Sequence, residues 1–302
     1  MRELTSHSAE KEGLVTISHS IPKPAGSKTA RFEDVKYLLL DPHGGTQIPM
    51  AHDAGKYLPD DLQLLQSLIH KEKDAGIPEL AEDILMRVPG GMAINVNFAR
   101  AIIDANRTPE HAAGKIITPD APADVKRILH DFHGKALAAI DDIIAQIPPG
   151  TKILCLHSMK TNYVDDIEVG HEIESIRSFI AAWEKSIGAS AATPLCIIVG
   201  PEGEEGIADL GMKNAVAQVF QQQQIVSSVN DPFKTERNKH KTTDYMLTRP
   251  GDVLALDLPK DLLCTGQASD RTFSYMHSKA DPAKVAKAGE AISEALKKVI
   301  RR

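Results

Sequence analysis

Residues 124–158 read DVKRILHDFHGKALAAIDDIIAQIPPGTKILCLHS, and this stretch decides the fold class. Val125, Ile128, Leu129, Phe132, Leu137, Ile140, Ile143, Ile144 and Ile147 recur close to every 3.6 residues, the signature of an amphipathic helix over 124–147. Pro148-Pro149-Gly150 stops it, because proline supplies no amide donor and glycine turns the chain. KILCLHS (152–158) then runs as a short apolar strand. A helix feeding a buried strand through a tight stop is the unit of an α/β fold.

The same alternation extends in both directions. YLLLD (37–41) reads as a strand ending in PHGG, with helices expected over 60–70 and 77–87 and an extended run over 93–104. Beyond 158 come a helix at 172–187, a strand at 195–200, a helix at 207–223, strands at 225–229 and 252–258, and a final helix over 282–300. QQQQ (221–224) reads as a solvated helix end. We therefore expect a mostly parallel or mixed central sheet with helices on both faces. Residues 1–35 are polar and read as an N-terminal extension with one short strand at Leu14–Ser18; residues 36–302 read as one domain.

Composition narrows the class. The chain has 302 residues, 35 Lys+Arg against 41 Asp+Glu, a net charge of −6 and 42% hydrophobic residues. That excludes wholesale disorder and argues against a general nucleic-acid binder, which carries a basic face. No apolar run approaches the roughly 18 residues that span a bilayer. Cys155, Cys196 and Cys264 are odd in number and far apart, two of them in apolar runs, and read as buried thiols. The charged N-terminus, MRELTSHSAEKEGLV, lacks the apolar stretch of a secretory signal, so cytoplasm is the expectation.

In α/β folds chemistry gathers beyond the carboxyl ends of strands. Four polar clusters fall there: PHGG after YLLLD, His157-Ser158 after KILCL, GPEGEEG (200–206) after CIIV, and Asp257 near the end of DVLAL. His43 and His157 with one carboxylate would make a zinc site with an open position for water, although each alone also reads as a hydrogen-bonded structural histidine. GPEGEEG is not a phosphate loop: its three glutamates repel phosphate, and it reads as a strand-to-helix turn. His130 and His133 in HDFH read as polar residues at the edge of the helix's apolar face rather than metal ligands. Asp104, Asn106 and Arg107 suit either a carboxylate clamp or a structural Arg–Asp pair.

Seven segments in order resemble the N-formylglutamate amidohydrolases, zinc-dependent hydrolases related in fold to zinc carboxypeptidases. They are PHGGTQIP (42–49), KDAGIPEL (73–80), FARAIIDANR (98–107), ILHDFHGKAL (128–137), LCLHSM (154–159), VNDPFK (229–234) and LALDLPKDLL (254–263). The resemblance implies a single zinc ion per chain on His43, Asp74 and His157, with Glu72 as the neighbouring acid. Glu72 is the alternative to Asp74 as third ligand. The resemblance also implies Asp257 as general base and Arg100 as oxyanion stabiliser. Asn106 and Arg107 fall on the pair that binds the substrate carboxylate, His133 matches the family's helical histidine, and Lys260 replaces an arginine near the substrate. The implied substrate is a small N-acyl acid such as N-formylglutamate. Departures at Asp257, where the family has Glu, at Thr235-Glu236 in place of a glycine pair, and over 160–172 keep open another zinc amidase or carboxypeptidase-like activity, or a non-catalytic binding relative.

Overall fold

A computed structural model of the chain describes residues 8–22, 31–48, 66, 69, 72–112, 122–159, 194–201, 203–231, 233, 235–265 and 279–300. Among them, seven strands form one sheet: β1 (Val15–His19), β2 (Tyr37–Asp41), β3 (Gly91–Val96), β4 (Lys152–Met159), β5 (Leu195–Ile198), β6 (Ser227–Val229) and β7 (Val253–Pro259), in the order β1-β3-β2-β4-β7-β5-β6. The central strands β3, β2, β4 and β7 are mutually parallel. β1 runs antiparallel to β3 at one edge, and β5 runs antiparallel to β7, with β6 parallel to β5 at the other. The sheet is therefore mixed around a parallel centre.

Alternate residues of each central strand feed two cores, which is why these strands read as continuous apolar runs. Leu38, Leu40, Ile153, Cys155, Val253 and Ala255 pack on one face, under a long helix α3 (Ala123–Gln146) that buries Val125, Leu129, Ala136, Ile140 and Ile143. Tyr37, Leu39, Leu154, Leu156, Leu254 and Leu256 pack on the other. That face is covered by α2 (Ile77–Arg87), α4 (Leu210–Gln222) and α6 (Pro282–Ile300). Two further helices are α1 (Ser8–Lys11) and α5 (Lys241–Thr248). All three cysteines are buried and free. No helix among the described residues is long and apolar enough to cross a membrane.

The structure differs from the sequence reading at several points. The short strand expected at Leu14–Ser18 is found as β1, but it joins the sheet edge, and Leu14, Val15, Ile21 and Phe32 are buried in the core rather than lying on a surface extension. The extended run expected over 93–104 ends at Val96; beyond it the Ile102 and Ile103 amides both turn back to the Ala99 carbonyl. Its apolar residues there, Phe98, Ile102 and Ile103, are buried as anchors of a loop rather than as strand. The strand expected over 225–229 begins at Ser227, because the Ile225 amide still closes on Phe220 at the end of α4. GPEGEEG is a turn as expected, but it lies at the opposite edge of the sheet from the other three clusters. β5 runs against β7, and the chain beyond GPEGEEG comes back to the start of β7, where the Asp209 amide bonds the Val253 carbonyl. The helix expected at 172–187, nearly all of that at 60–70, and the divergent 160–172 segment lie outside the described residues.

Candidate active site

The four parallel strands end at one edge, and the candidate residues converge there. β2 delivers His43 two residues past its last pair. The Asp41 carboxylate accepts the His43 amide at 3.1 Å, folding the chain back over the strand end. The two glycines that follow are required by close approach: a methyl on Gly45 would overlap the Asn97 backbone, and one on Gly44 would overlap the Asp41 carboxylate. Asp74 arrives from the turn before α2, its amide tied to the His43 carbonyl at 3.0 Å. His157 lies in β4 directly opposite Asp257 of β7, so both side chains project from the same face of the sheet.

The three side chains meet closely. His157 Nδ1 lies 3.1 Å from Asp74 Oδ2 and 3.2 Å from His43 Nδ1, and His43 Nδ1 lies 3.3 Å from Asp74 Oδ2. Among the described residues this is the cluster able to hold a metal ion, and all three residues are buried. Glu72 is not a member. The geometry fits zinc: with bonds of about 2.0 Å, ligand atoms at the corners of a tetrahedron stand about 3.3 Å apart. Two imidazoles and one carboxylate also form the donor set of a catalytic zinc centre, which leaves a fourth position open.

Asp104 organises the surroundings. Its Oδ1 lies 2.7 Å from His43 Nε2 and accepts the Asn106 amide at 2.8 Å; its Oδ2 accepts Arg100 Nε at 3.1 Å, with Arg107 Nε at 3.6 Å. The bond to His43 Nε2 fixes the proton there and turns the Nδ1 lone pair inward, the usual arrangement for a metal-binding histidine. Both arginines touch Asp104 through Nε, and each side chain is about a third exposed, 33% for Arg100 and 29% for Arg107. The two sequence readings of this run, structural pair and clamp, are therefore compatible.

Electrostatics follow from burial and neighbours. Burial and Arg100 push the His43 imidazole down, but Asp104 and Asp74 outweigh them and lift it to about 9. Burial raises the Asp74 carboxyl, yet bonds from His157 and His43 hold it well below the usual range. Burial also lowers His157. In the metal-free protein the inward nitrogens thus hold a proton where a cation would sit, and the two compete. Burial, with the nearby Asp74 charge, pushes Asp257 up to about 8. Its Oδ1 is buried without a hydrogen-bond partner among the described residues.

The remaining expected residues fall around this centre. His133 is fully buried in α3 and bonds the Asp104 carbonyl through Nε2 at 3.2 Å, so it props the 104–107 turn from beneath; its neighbour His130 is exposed. Lys260 opens the turn after β7, is 5% exposed, and its charge acts on Asp257. Sequence reasoning did not single out Asp104 as the hub. Its signal was an acid four residues after Arg100 and three before Arg107, but the partner His43 is 61 residues away.

A model of the N-formylglutamate amidohydrolase family matches residues 35–262. By sequence alone, no curated protein matches the chain. Among solved structures, an N-formylglutamate amidohydrolase from Ralstonia eutropha JMP134 superimposes with a TM-score of 0.59 at 15% identity, over 95% of this chain and 97% of that one. A gene product of Agrobacterium tumefaciens does so with a TM-score of 0.54 at 16% identity, over 97% of each.

Proposed function

Since the chain belongs to the N-formylglutamate amidohydrolase family, we propose that it is a zinc-dependent amidohydrolase that removes the acyl group from a small N-acyl amino acid bearing a free carboxylate, with N-formylglutamate as the type substrate. The observation that carries this reading is the convergence of His43, Asp74 and His157 at zinc-ligand spacing beside Asp104, Asn106 and Arg107. It accounts for three buried polar side chains that would otherwise crowd one another.

His43 Nδ1, Asp74 Oδ2 and His157 Nδ1 would hold the ion. When bound, zinc polarises the scissile carbonyl and makes water acidic enough to attack near neutral pH. Asp257, opposite His157, takes the proton of the attacking water on its carboxylate and passes it to the leaving nitrogen. The charge of a bound cation would oppose the rise to about 8 that burial and Asp74 cause in the metal-free protein, leaving Asp257 a carboxylate able to take that proton. Arg100, held through Nε by Asp104, offers its outer nitrogens to the oxygen of the tetrahedral intermediate. Arg107 and the Asn106 side-chain NH2 grip the substrate carboxylate, which places the scissile amide. Lys260 adds positive charge near Asp257, and His133 acts through the 104–107 turn.

The test has two parts. Protein purified without chelator should carry about one zinc per chain by elemental analysis, and His43→Ala and His157→Ala should each lose it. The zinc-loaded protein should release formate from N-formyl-L-glutamate and prefer it at least about 100-fold over the analogue whose α-carboxylate is capped as an amide, the cost of leaving the Arg107 charge without its partner. Full metal retention in either alanine variant refutes the ligand set. Equal rates on the two substrates refute the carboxylate clamp and favour a broader amidase.

A further inference from the structure

The Asn106 side chain is held in a way that the clamp alone does not explain. Its Oδ1 accepts two hydrogen bonds from one residue, the Thr242 amide at 3.1 Å and the Thr242 hydroxyl at 2.7 Å. The rest of Asn106 is equally committed: its amide donates to Asp104 and its carbonyl accepts the Lys241 amide at 2.9 Å. A carboxamide oxygen has two lone pairs, and both are filled here. The only capacity left is the pair of Nδ2 hydrogens, which no hydrogen bond takes up among the described residues.

The arrangement cannot be reversed by flipping the amide. The Thr242 backbone N–H is a donor only, so the group facing it must be the oxygen. Thr242 is also well placed to hold this geometry. It is 2% exposed at the second position of α5, where the first turn of a helix has amide hydrogens without internal partners. Its side chain interacts with Cys155, fully buried in β4 two residues before His157.

We propose that Thr242 is a positioning residue for specificity: by filling both lone pairs of Asn106 it makes that side chain a donor only, so the site accepts a carboxylate and discriminates against a carboxamide in its place. A carboxylate presents only acceptors and satisfies both Arg107 and the Asn106 NH2. A carboxamide must turn one NH2 toward these donors, and Asn106 cannot rotate to receive it. The inference rests on the reading that Asn106 and Arg107 meet the substrate carboxylate.

The experiment compares kcat and KM for N-formyl-L-glutamate and its α-carboxamide in wild type, Thr242→Val, Thr242→Ser and Asn106→Asp. Affinity for glutarate, measured by calorimetry, gives a readout independent of turnover. Thr242→Val removes one of the two bonds to Oδ1. The acid-over-amide ratio should fall about fivefold, the worth of one neutral hydrogen bond, with most of the change in KM and a matching loss of glutarate affinity. Thr242→Ser should restore the ratio to within about twofold, since a purely packing role would not be rescued by the smaller hydroxyl residue. Asn106→Asp keeps both acceptor positions toward Thr242 and removes the NH2. It should lose at least about tenfold of the ratio even if Thr242→Val fails to fold, because a carboxylate then faces a carboxylate. An unchanged ratio in Thr242→Val, or a Thr242→Ser variant as impaired as Thr242→Val, overturns the proposal while leaving the clamp standing; an unchanged ratio in Asn106→Asp takes Asn106 out of the clamp and overturns the proposal with it. A wild type without acid preference overturns the clamp itself, and this inference with it.

Discussion

Replacing Asp104 with asparagine tests how far one carboxylate outside the ligand set controls the centre. Two donors, His43 Nε2 and the Asn106 amide, converge on Oδ1, and Arg100 Nε with Arg107 Nε on Oδ2. Asparagine keeps one oxygen. If it faces His43, its NH2 confronts Arg100 and Arg107, and both guanidinium groups lose their anchor. The His43 contact itself changes from a hydrogen bond to a charged acceptor, worth about 1.5–3 kcal/mol, to a neutral one of about 1 kcal/mol. The difference is about 1.4 kcal/mol, or tenfold in zinc dissociation constant, at the lower end of the 10–100-fold typical for such outer partners. The assay is a zinc titration of chelator-stripped protein against a chromogenic competitor, with the urea midpoint recorded alongside. A dissociation constant within about twofold of wild type in a folded Asp104→Asn protein would refute the argument that Asp104 orients His43.

Three further outcomes follow from the described contacts. Asp257 rises from 3.8 to about 8 in the metal-free protein, so the folded state keeps a proton that the unfolded chain releases. Its stabilising contribution is full below the unfolded value and is lost as pH rises through 8; in stripped protein, Asp257→Asn should therefore gain urea stability over wild type between pH 5 and 9, and parallel curves would count against it. His240 is pushed down to about 4 by burial and by Arg107, so it stays neutral when folded; that contribution is present above 6.5 and lost as pH falls toward 4. His240→Gln should flatten the acid limb of the stability curve, and an unchanged limb would show that other groups set it. Gly45→Ala, whose methyl meets the Asn97 backbone, should lose about 1–3 kcal/mol in urea unfolding. Gly134→Ala, in open space on α3, should gain about 0.5–1 kcal/mol, and the same sign for both would contradict the packing described.

Much of this architecture was legible in the sequence. The 3.6-residue stripe gave α3 to within a residue at each end, and the apolar runs gave the strands, because burial on both faces leaves little choice of residue. Strand direction was not legible. LCII carries no local mark of running against DVLALDL, so GPEGEEG was expected at the edge where the other clusters lie and is found at the opposite one. The buried segment around Phe98–Ile103 read as strand because loop anchors and strand residues are equally apolar. For the site, His43 and His157 were visible as strand-end histidines. Asp74 came only from the resemblance, since a lone acid before a helix carries no sign of its distant partners. Asp104 was seen next to Asn106 and Arg107, yet its bond to His43 belongs to the folded chain alone. The opposition of His157 and Asp257 is a matter of strand register, which no local pattern encodes.

The separation of the inward-facing ligands along the chain has a consequence for how the protein assembles. His43 and His157 are 114 residues apart, and Asp74 and His157 are 83 apart. No local fragment contains the set, so a cation finds its three partners only after β2, the entry to α2 and β4 have come together. Zinc would then bind the finished molecule in strong preference to unfolded or partly folded chains. Each tenfold excess over its dissociation constant would deepen the folded state by about 1.4 kcal/mol. Metal supply would thus set how long the protein survives as well as how fast it works, and ion capture would report that these long-range contacts have formed.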